Sequence, residues 1–234
     1  MVDFGGAIKR PFTDFKKLGI GILIYFVAVI PFIGWLISFF ITGYGIECAK
    51  TAMKKDYKLP EWTDWGNLWV NGILYLFIGL IYMIPLALIG AFTIGSALIK
   101  NWVLFTAENP DPVALAAAFG GNSVTLLWIL LLLFLIMIIT VYVLPMAIMR
   151  FVATGKFGDA FNLREVFRKA FTSKYFVTVI LLWVYVFAIL IVTSLLYVIT
   201  AITFILPLII TAVIGFVITI TSMTVFGEVY SEIK

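Results

Sequence analysis

Glu47, Asp64, Asn67 and Asn71 are the side chains of this 234-residue sequence best placed for chemistry. The last three lie in the stretch LPEWTDWGNLWVNG, Leu59 to Gly72, at a spacing that sets them on one face of a helix. Two facing carboxylates can act as acid and base or hold a divalent ion. With Glu47 and Asp64 in those roles, the chemistry would be hydrolysis at a lipid headgroup. The same stretch carries Trp62, Trp65 and Trp69, which repeat the spacing on the opposite face. Pro60 suits a first helical turn, and Glu61 and Asp64 suit a helix N-terminus. The pattern therefore predicts an amphipathic helix that begins near Pro60 and runs into the following apolar segment. Its tryptophans would anchor at the membrane interface, and its polar face would line a vestibule.

Other chemistry is excluded by composition. The chain has no histidine. A two-histidine zinc motif, a Ser-His-Asp triad and a histidine-ligated haem are therefore impossible, and the usual neutral-pH proton shuttle is missing. Cys48 is the single cysteine, so no internal disulfide forms. No catalytic residue, metal or cofactor is expected beyond the carboxylate alternative.

These residues sit in a membrane sequence. Hydrophobic residues make up 64% of the chain and charged residues 12%, against about half and a quarter in a soluble domain. Mean hydropathy is +1.17. Five apolar runs, 18–44, 69–99, 122–149, 175–199 and 201–226, reach the roughly 20 residues that a membrane helix needs. The expectation is an all-α, polytopic membrane protein forming a single integral domain over 1–234. The charged N-terminus precedes a run too long for a signal peptide, so it reads as retained.

Lys and Arg set the topology. They collect before the first run, between the first and second, and between the third and fourth. Short cytoplasmic loops gather such residues. If the first run crosses an even number of times, nearly all of them fall on one side. Its IPFIGW segment supplies a break: Pro31 removes a donor and Gly34 permits a bend. The layout is then three helical hairpins, the first short or re-entrant, with both termini and the basic loops cytoplasmic. A single proline-kinked helix is the alternative. Pro85, Pro145 and Pro207 also fall in apolar runs, as helix kinks or breaks.

Two connectors, 47–68 and 157–172, are read as amphipathic and interfacial. In the second, Asn162 and Glu165 match a capping box. Leu163, Val166, Phe167 and Ala170 share one face; Arg164, Glu165, Arg168 and Lys169 share the other. Arg164, Arg168 and Lys169 are the expected contacts to an anionic leaflet. The connection 108–121 reads as a short capped helix. A five-residue pattern also repeats: Lys9-Arg10-Pro11-Phe12-Thr13 and Arg168-Lys169-Ala170-Phe171-Thr172 each precede an apolar hairpin.

The stretch GYGIECAKTAMKKDYKLPEWTDWGNLWVNG, with LPMAIMRFVATGKFGDAF downstream, resembles the prokaryotic integral membrane proteins called domain of unknown function 4013. Trp69 stands at a usual phenylalanine, and Gly72 keeps the glycine. The resemblance implies a prokaryotic cell-membrane protein and supports the even-crossing layout. It implies no activity and transfers no catalytic residue. Apart from Glu228, Glu47 and Arg150 near ends, the spans lack ionisable residues, which argues against a proton-coupled pump. Stripes of small residues such as Thr211-Gly215-Thr219 suit close packing, within the chain or between subunits. The leading expectation is a non-enzymatic module that organises lipid or helps a membrane partner, in contact with anionic lipid and able to form a homo-oligomer. A passive channel or transporter is the alternative. No nucleic-acid partner is expected.

Overall fold

A computed structural model describes residues 2–100, 102, 106, 113, 123–200, 203 and 205–233. The described elements are helical throughout. They are α1 (Phe4–Lys9), a 3₁₀ turn (Arg10–Phe12), α2 (Phe15–Ala28), α3 (Ile33–Ala52), α4 (Trp65–Lys100) and α5 (Ser123–Thr154). After a second 3₁₀ turn (Phe157–Phe161) come α6 (Leu163–Ala170), α7 (Ser173–Thr200) and α8 (Ile205–Glu232). Four of them, α4, α5, α7 and α8, are long and apolar enough to cross a membrane. The chain is a polytopic helical membrane protein. The expected short helix within 108–121 lies outside the described residues.

The chain divides into two compact units. One comprises 1–78 with 145–234, and the other 79–144. The smaller holds the C-terminal part of α4 and most of α5. Pro85 lies within α4 and Pro145 within α5, and both helices continue through the proline. Pro207 falls in the first turn of α8, where its missing N–H costs nothing.

In the larger unit α2 and α3 pack as an antiparallel hairpin, and α8 packs on α2, α3 and α7. The break falls at Pro31. Asp14 starts α2 by accepting from the Lys16 and Lys17 amides, and the residue before a proline disfavours helix. Phe32 turns the chain at φ 66°, and α3 starts at Ile33. Gly34 then passes so close to α2 that a Cβ there would lie 2.0 Å from Ala28 O.

Two boundaries differ from expectation. α3 does not end with its apolar run but continues through Glu47 and Lys50 to Ala52. The connector 47–68 is thus no amphipathic helix: it is the last turns of α3, an irregular segment and the first turn of α4. And α4 begins at Trp65, not near Pro60. Asp64 has φ 52°, outside helix, and its carboxylate accepts from Asn67 N at 3.3 Å. The residues 60–64 therefore form the approach to the helix and not its first turn.

The start of α4 crosses α3 at backbone contact. A Cβ at Gly43 would lie 1.8 Å from Leu68 O, and one at Gly72 would lie 2.1 Å from Phe39 O. Each helix thus offers a glycine to the other's backbone, the close approach that small residues allow in lipid. Gly43→Ala and Gly72→Ala should each destabilise by about 1–3 kcal/mol through overpacking. Gly66→Ala, which meets nothing within 4 Å, should not. Thermal unfolding in micelles checks the contrast.

Candidate functional site at the charged end

The polar side chains gather where α1, the end of α3, the 53–64 segment, α6 and the end of α8 meet. At the centre is Arg10, with no exposed surface. Pro11 sits at the start of the 3₁₀ turn and fixes the chain beside it. The guanidinium donates to Cys48 O at 2.7 Å, Thr224 Oγ1 at 2.9 Å, Lys58 O at 2.9 Å and Thr51 Oγ1. No carboxylate lies within ion-pairing distance of it among the described residues. Its acceptors are neutral dipoles, and Cys48 O belongs to the C-terminal end of α3, where the helix dipole favours a cation.

Lys169 repeats this arrangement. It lies over the Tyr230 ring at 4.4 Å and donates to Tyr230 O at 3.3 Å and to Ile233 O, at the C-terminal end of α8. Burial lowers its ammonium below the usual lysine range. Thr13 and Thr172 complete the parallel. Each hydroxyl donates to the carbonyl of the second basic residue, at 2.8 Å to Arg10 O and 2.9 Å to Lys169 O. The five-residue repeat is therefore a structural one. In each copy the second basic residue meets the returning helix of its own hairpin: Lys169 at the carbonyls that end α8, and Arg10 at Cys48 O and Thr51 Oγ1 in the last turns of α3. Lys169, expected to face lipid, is turned inward instead, because the helix end offers it carbonyls.

Glu228 is also buried, 1% exposed, and accepts from Asp3 N at 3.0 Å. Together with the Lys169 contacts, this places the N-terminal and C-terminal segments at the same end. Glu232 adds pairs to Lys174 at 2.5 Å and Lys55 at 3.5 Å. Burial and the Glu228 carboxylate push the Tyr57 hydroxyl upward.

The tryptophan stretch forms one wall. Trp62 is not on a helix and is only 8% exposed. Its ring stacks on Tyr44 at 3.8 Å and 4°, and its Nε1 donates to Lys17 O at 3.0 Å. Tyr44 donates to Pro60 O at 2.8 Å, and Lys17 to Leu59 O at 2.9 Å. Lys17 also pairs with Glu61 at 2.6 Å, which raises its ammonium above the usual range. Trp62 is thus a core residue, since the turn at Asp64 takes it off the α4 face. Trp65 remains exposed, and Trp69 is partly exposed with Nε1 directed to Leu36 O at 3.3 Å.

Three members of the candidate polar cluster are linked by hydrogen bonds. Asn71 donates to Asn67 at 3.4 Å, and Asp64 caps the same turn. Glu47, near the end of α3, pairs with Lys50 at 3.4 Å. Arg164 and Arg168 are exposed on α6, with Arg168 donating to Glu165 at 2.6 Å. Asn162 caps Glu165 N as the capping box predicts, but Glu165 turns to Arg168 and Arg150 instead of reaching back.

Arg10→Met should destabilise by about 3 kcal/mol, because its buried acceptors lose their donor. Arg10→Lys should recover only part, lacking the planar fork. Cys48 supplies the measurement. Its thiol is fully buried and pushed up to about 12 by burial. A water-soluble maleimide at pH 8 should leave it unmodified in the native protein and react faster in Arg10→Met, as the end opens.

No curated protein matches the chain, and no solved structure does. The family described as protein of unknown function (DUF4013) matches residues 23–202. That span takes in the end of α2, the turn, α3, the tryptophan stretch and the α6 connector, and leaves Arg10 and Glu228 outside it. With well over half of its 234 residues matched, the chain belongs to this DUF4013 family of proteins of unknown function.

Proposed function

We propose that the protein is a non-enzymatic membrane module that organises anionic lipid at its charged end, where it can also dock a membrane partner. The observation that carries this reading is the outer face of α6. Val166 and Ala170 are buried, whereas Leu163, Phe167 and Phe171 are exposed. These three recur at four-residue spacing and form an apolar stripe beside Arg164 and Arg168. The Phe167 and Phe171 rings stack at 5.8 Å. The residues grouped as one face thus split in two, because Val166 and Ala170 pack inward while the stripe one position away stays open. An exposed apolar stripe flanked by arginines suits the boundary between headgroups and acyl chains.

The position of α6 supports the same reading. It ends three residues before the spanning helix α7 begins, so it lies at membrane entry. Arg150, Lys156 and Lys174 come from the adjoining segments. On the positive-inside pattern this end faces the cytoplasm and an anionic leaflet, in a prokaryotic cell membrane as the family implies.

Native mass spectrometry after extraction from mixed phosphatidylglycerol and phosphatidylcholine vesicles tests it. The protein should retain phosphatidylglycerol preferentially. At about 1 kcal/mol per basic residue near an anionic surface, Arg164→Ala with Arg168→Ala should weaken that retention by about 30-fold. Equal retention of both lipids by the unaltered protein would end this reading.

A further inference from the structure

We infer that the α2–α3 hairpin is a wedge that enters the bilayer from the charged end and stops among the acyl chains, without reaching the far surface. The inference gives the lipid-organising reading its physical means and rests on it for its consequence.

Length is the first argument. α2 has 14 residues, about 21 Å at 1.5 Å per residue. In α3 the apolar arm from Ile33 to Ile46 matches it, since Glu47 and Lys50 already lie among the charges. The hydrocarbon layer is about 30 Å thick. α7 and α8 have 28 residues each, about 42 Å, and do cross it. All four helices share one charged base: Arg10 joins α3 to α8, Lys17 holds the start of α2 to the 59–61 segment, and Lys174 at the start of α7 pairs with Glu232 at the end of α8.

Packing along α8 gives the same height independently. Tyr25, one turn before the end of α2, lies against Gly215, where a Cβ would be 2.3 Å from the tyrosine ring. From Gly215 α8 continues to Ile205, about 15 Å further. It is accompanied there by α7, through the 2.6 Å bond between Tyr197 and Thr211. α2 therefore ends about 10 Å short of the far end of α8, and the turn at 29–32 fills only part of that distance.

The tip is built for hydrocarbon. Ile30, Pro31, Phe32, Ile33, Trp35 and Leu36 are exposed, Phe32 by 94%. None is charged. Irregular backbone in lipid needs its polar groups satisfied internally. Across this turn the amides of Val29, Ile30, Ile33 and Gly34 bond back to Phe26, Val27, Pro31 and Ile30, Pro31 has no N–H to satisfy, and the Phe32 amide makes no backbone bond among the described residues. A hairpin of this height adds the cross-section of two helices to one leaflet and ends beneath the other. That asymmetry gives the protein a preference for curved membrane.

The test uses the full chain in vesicles of phosphatidylglycerol and phosphatidylcholine. Phe32→Cys is compared with Lys54→Cys, an exposed position at the charged end, with Cys48 silent through burial. In opened vesicles a water-soluble maleimide reaches both surfaces. Phe32→Cys should react slower than Lys54→Cys by about 10-fold or more, since a thiolate does not form in hydrocarbon. A bimane attached to the thiol of the Phe32→Cys variant before reconstitution should be quenched most by lipids brominated mid-chain. Should Phe32→Cys fold poorly, Trp35→Cys serves at the same depth. Reaction at the control rate, or quenching confined to headgroup depth, would overturn the wedge. If the tip proves deep while native mass spectrometry finds no lipid preference, the wedge stands and the anionic-lipid reading falls. The converse pair of results removes the wedge alone.

Discussion

The larger unit depends on one constraint: the carbonyls that end a returning helix must find donors at the membrane edge. The last turn of any helix leaves such carbonyls without intrahelical partners. In water they would be solvated. Here the ends of α3 and α8 are packed together with α1 and the 53–64 segment, and a cation from the chain is inserted instead. Arg10 reaches Cys48 O from α3, Thr224 from α8 and Lys58 O from the connector at once. Its planar fork is what permits several directed bonds from one buried group. Because those acceptors lie 38 to 214 residues away, one side chain closes the ends of distant helices onto the start of the chain. A buried charge with only dipolar acceptors is costly unless every donor is used. One donor, Arg10 Nε, finds no acceptor among the described residues, so the arrangement fixes which elements meet at some cost, while removing the side chain would leave its buried acceptors without a donor.

Lys169 solves the same problem at α8. The two motifs enter the membrane from the same end, and each supplies the cation for the helix that comes back. Thr13 and Thr172 fold back on Arg10 O and Lys169 O at nearly equal distances. The resemblance of the two five-residue patterns thus follows from a shared task. What differs is the hairpin each one starts. After Lys169 comes a pair of 28-residue helices, and after Arg10 a pair whose apolar arms are half as long.

Much of this is legible in local pattern. Hydropathy locates the spans, Pro31 and Gly34 locate the hairpin turn, and Asn162 with Glu165 locates the start of α6. These features depend on residues close in sequence. The departures from expectation share the opposite cause. Nothing local separates buried Arg10 from Lys9, since its acceptors are contributed by remote segments. Trp62, Trp65 and Trp69 have helical spacing, yet Trp62 precedes the turn at Asp64 and stacks on Tyr44. The α6 stripe escapes a pattern that groups its apolar positions as one face. Helical geometry allows two, Val166 with Ala170 and Leu163 with Phe167 and Phe171, and only tertiary packing decides which is covered. The one signal in the sequence that singles out Arg10 is the five-residue repeat, taken with the need of a helix end for a cation.

Placing the charged contacts of the larger unit at one end has a consequence for the other. Among the described residues of that unit, α7 and α8 extend to the far end, where they meet through hydroxyl pairs such as Tyr197 with Thr211 and otherwise through apolar side chains. At the charged end, α2, α3 and the start of α4 crowd beside them, with glycine backbone contacts that leave little room to adjust. Within this unit, therefore, the number of packed helices changes with depth, and close packing fixes the change. A bilayer accommodates such a shape by adjusting its lipids, because the helices cannot thin or bend at Gly43, Gly72 or Gly34 without backbone clash. The exposed residues at that crowded end include arginines beside aromatic and aliphatic side chains on α6, the groups that hold headgroups at one level. On the lipid-organising reading proposed above, the same packing that fills the near leaflet would also present the surface that sets which lipids border it.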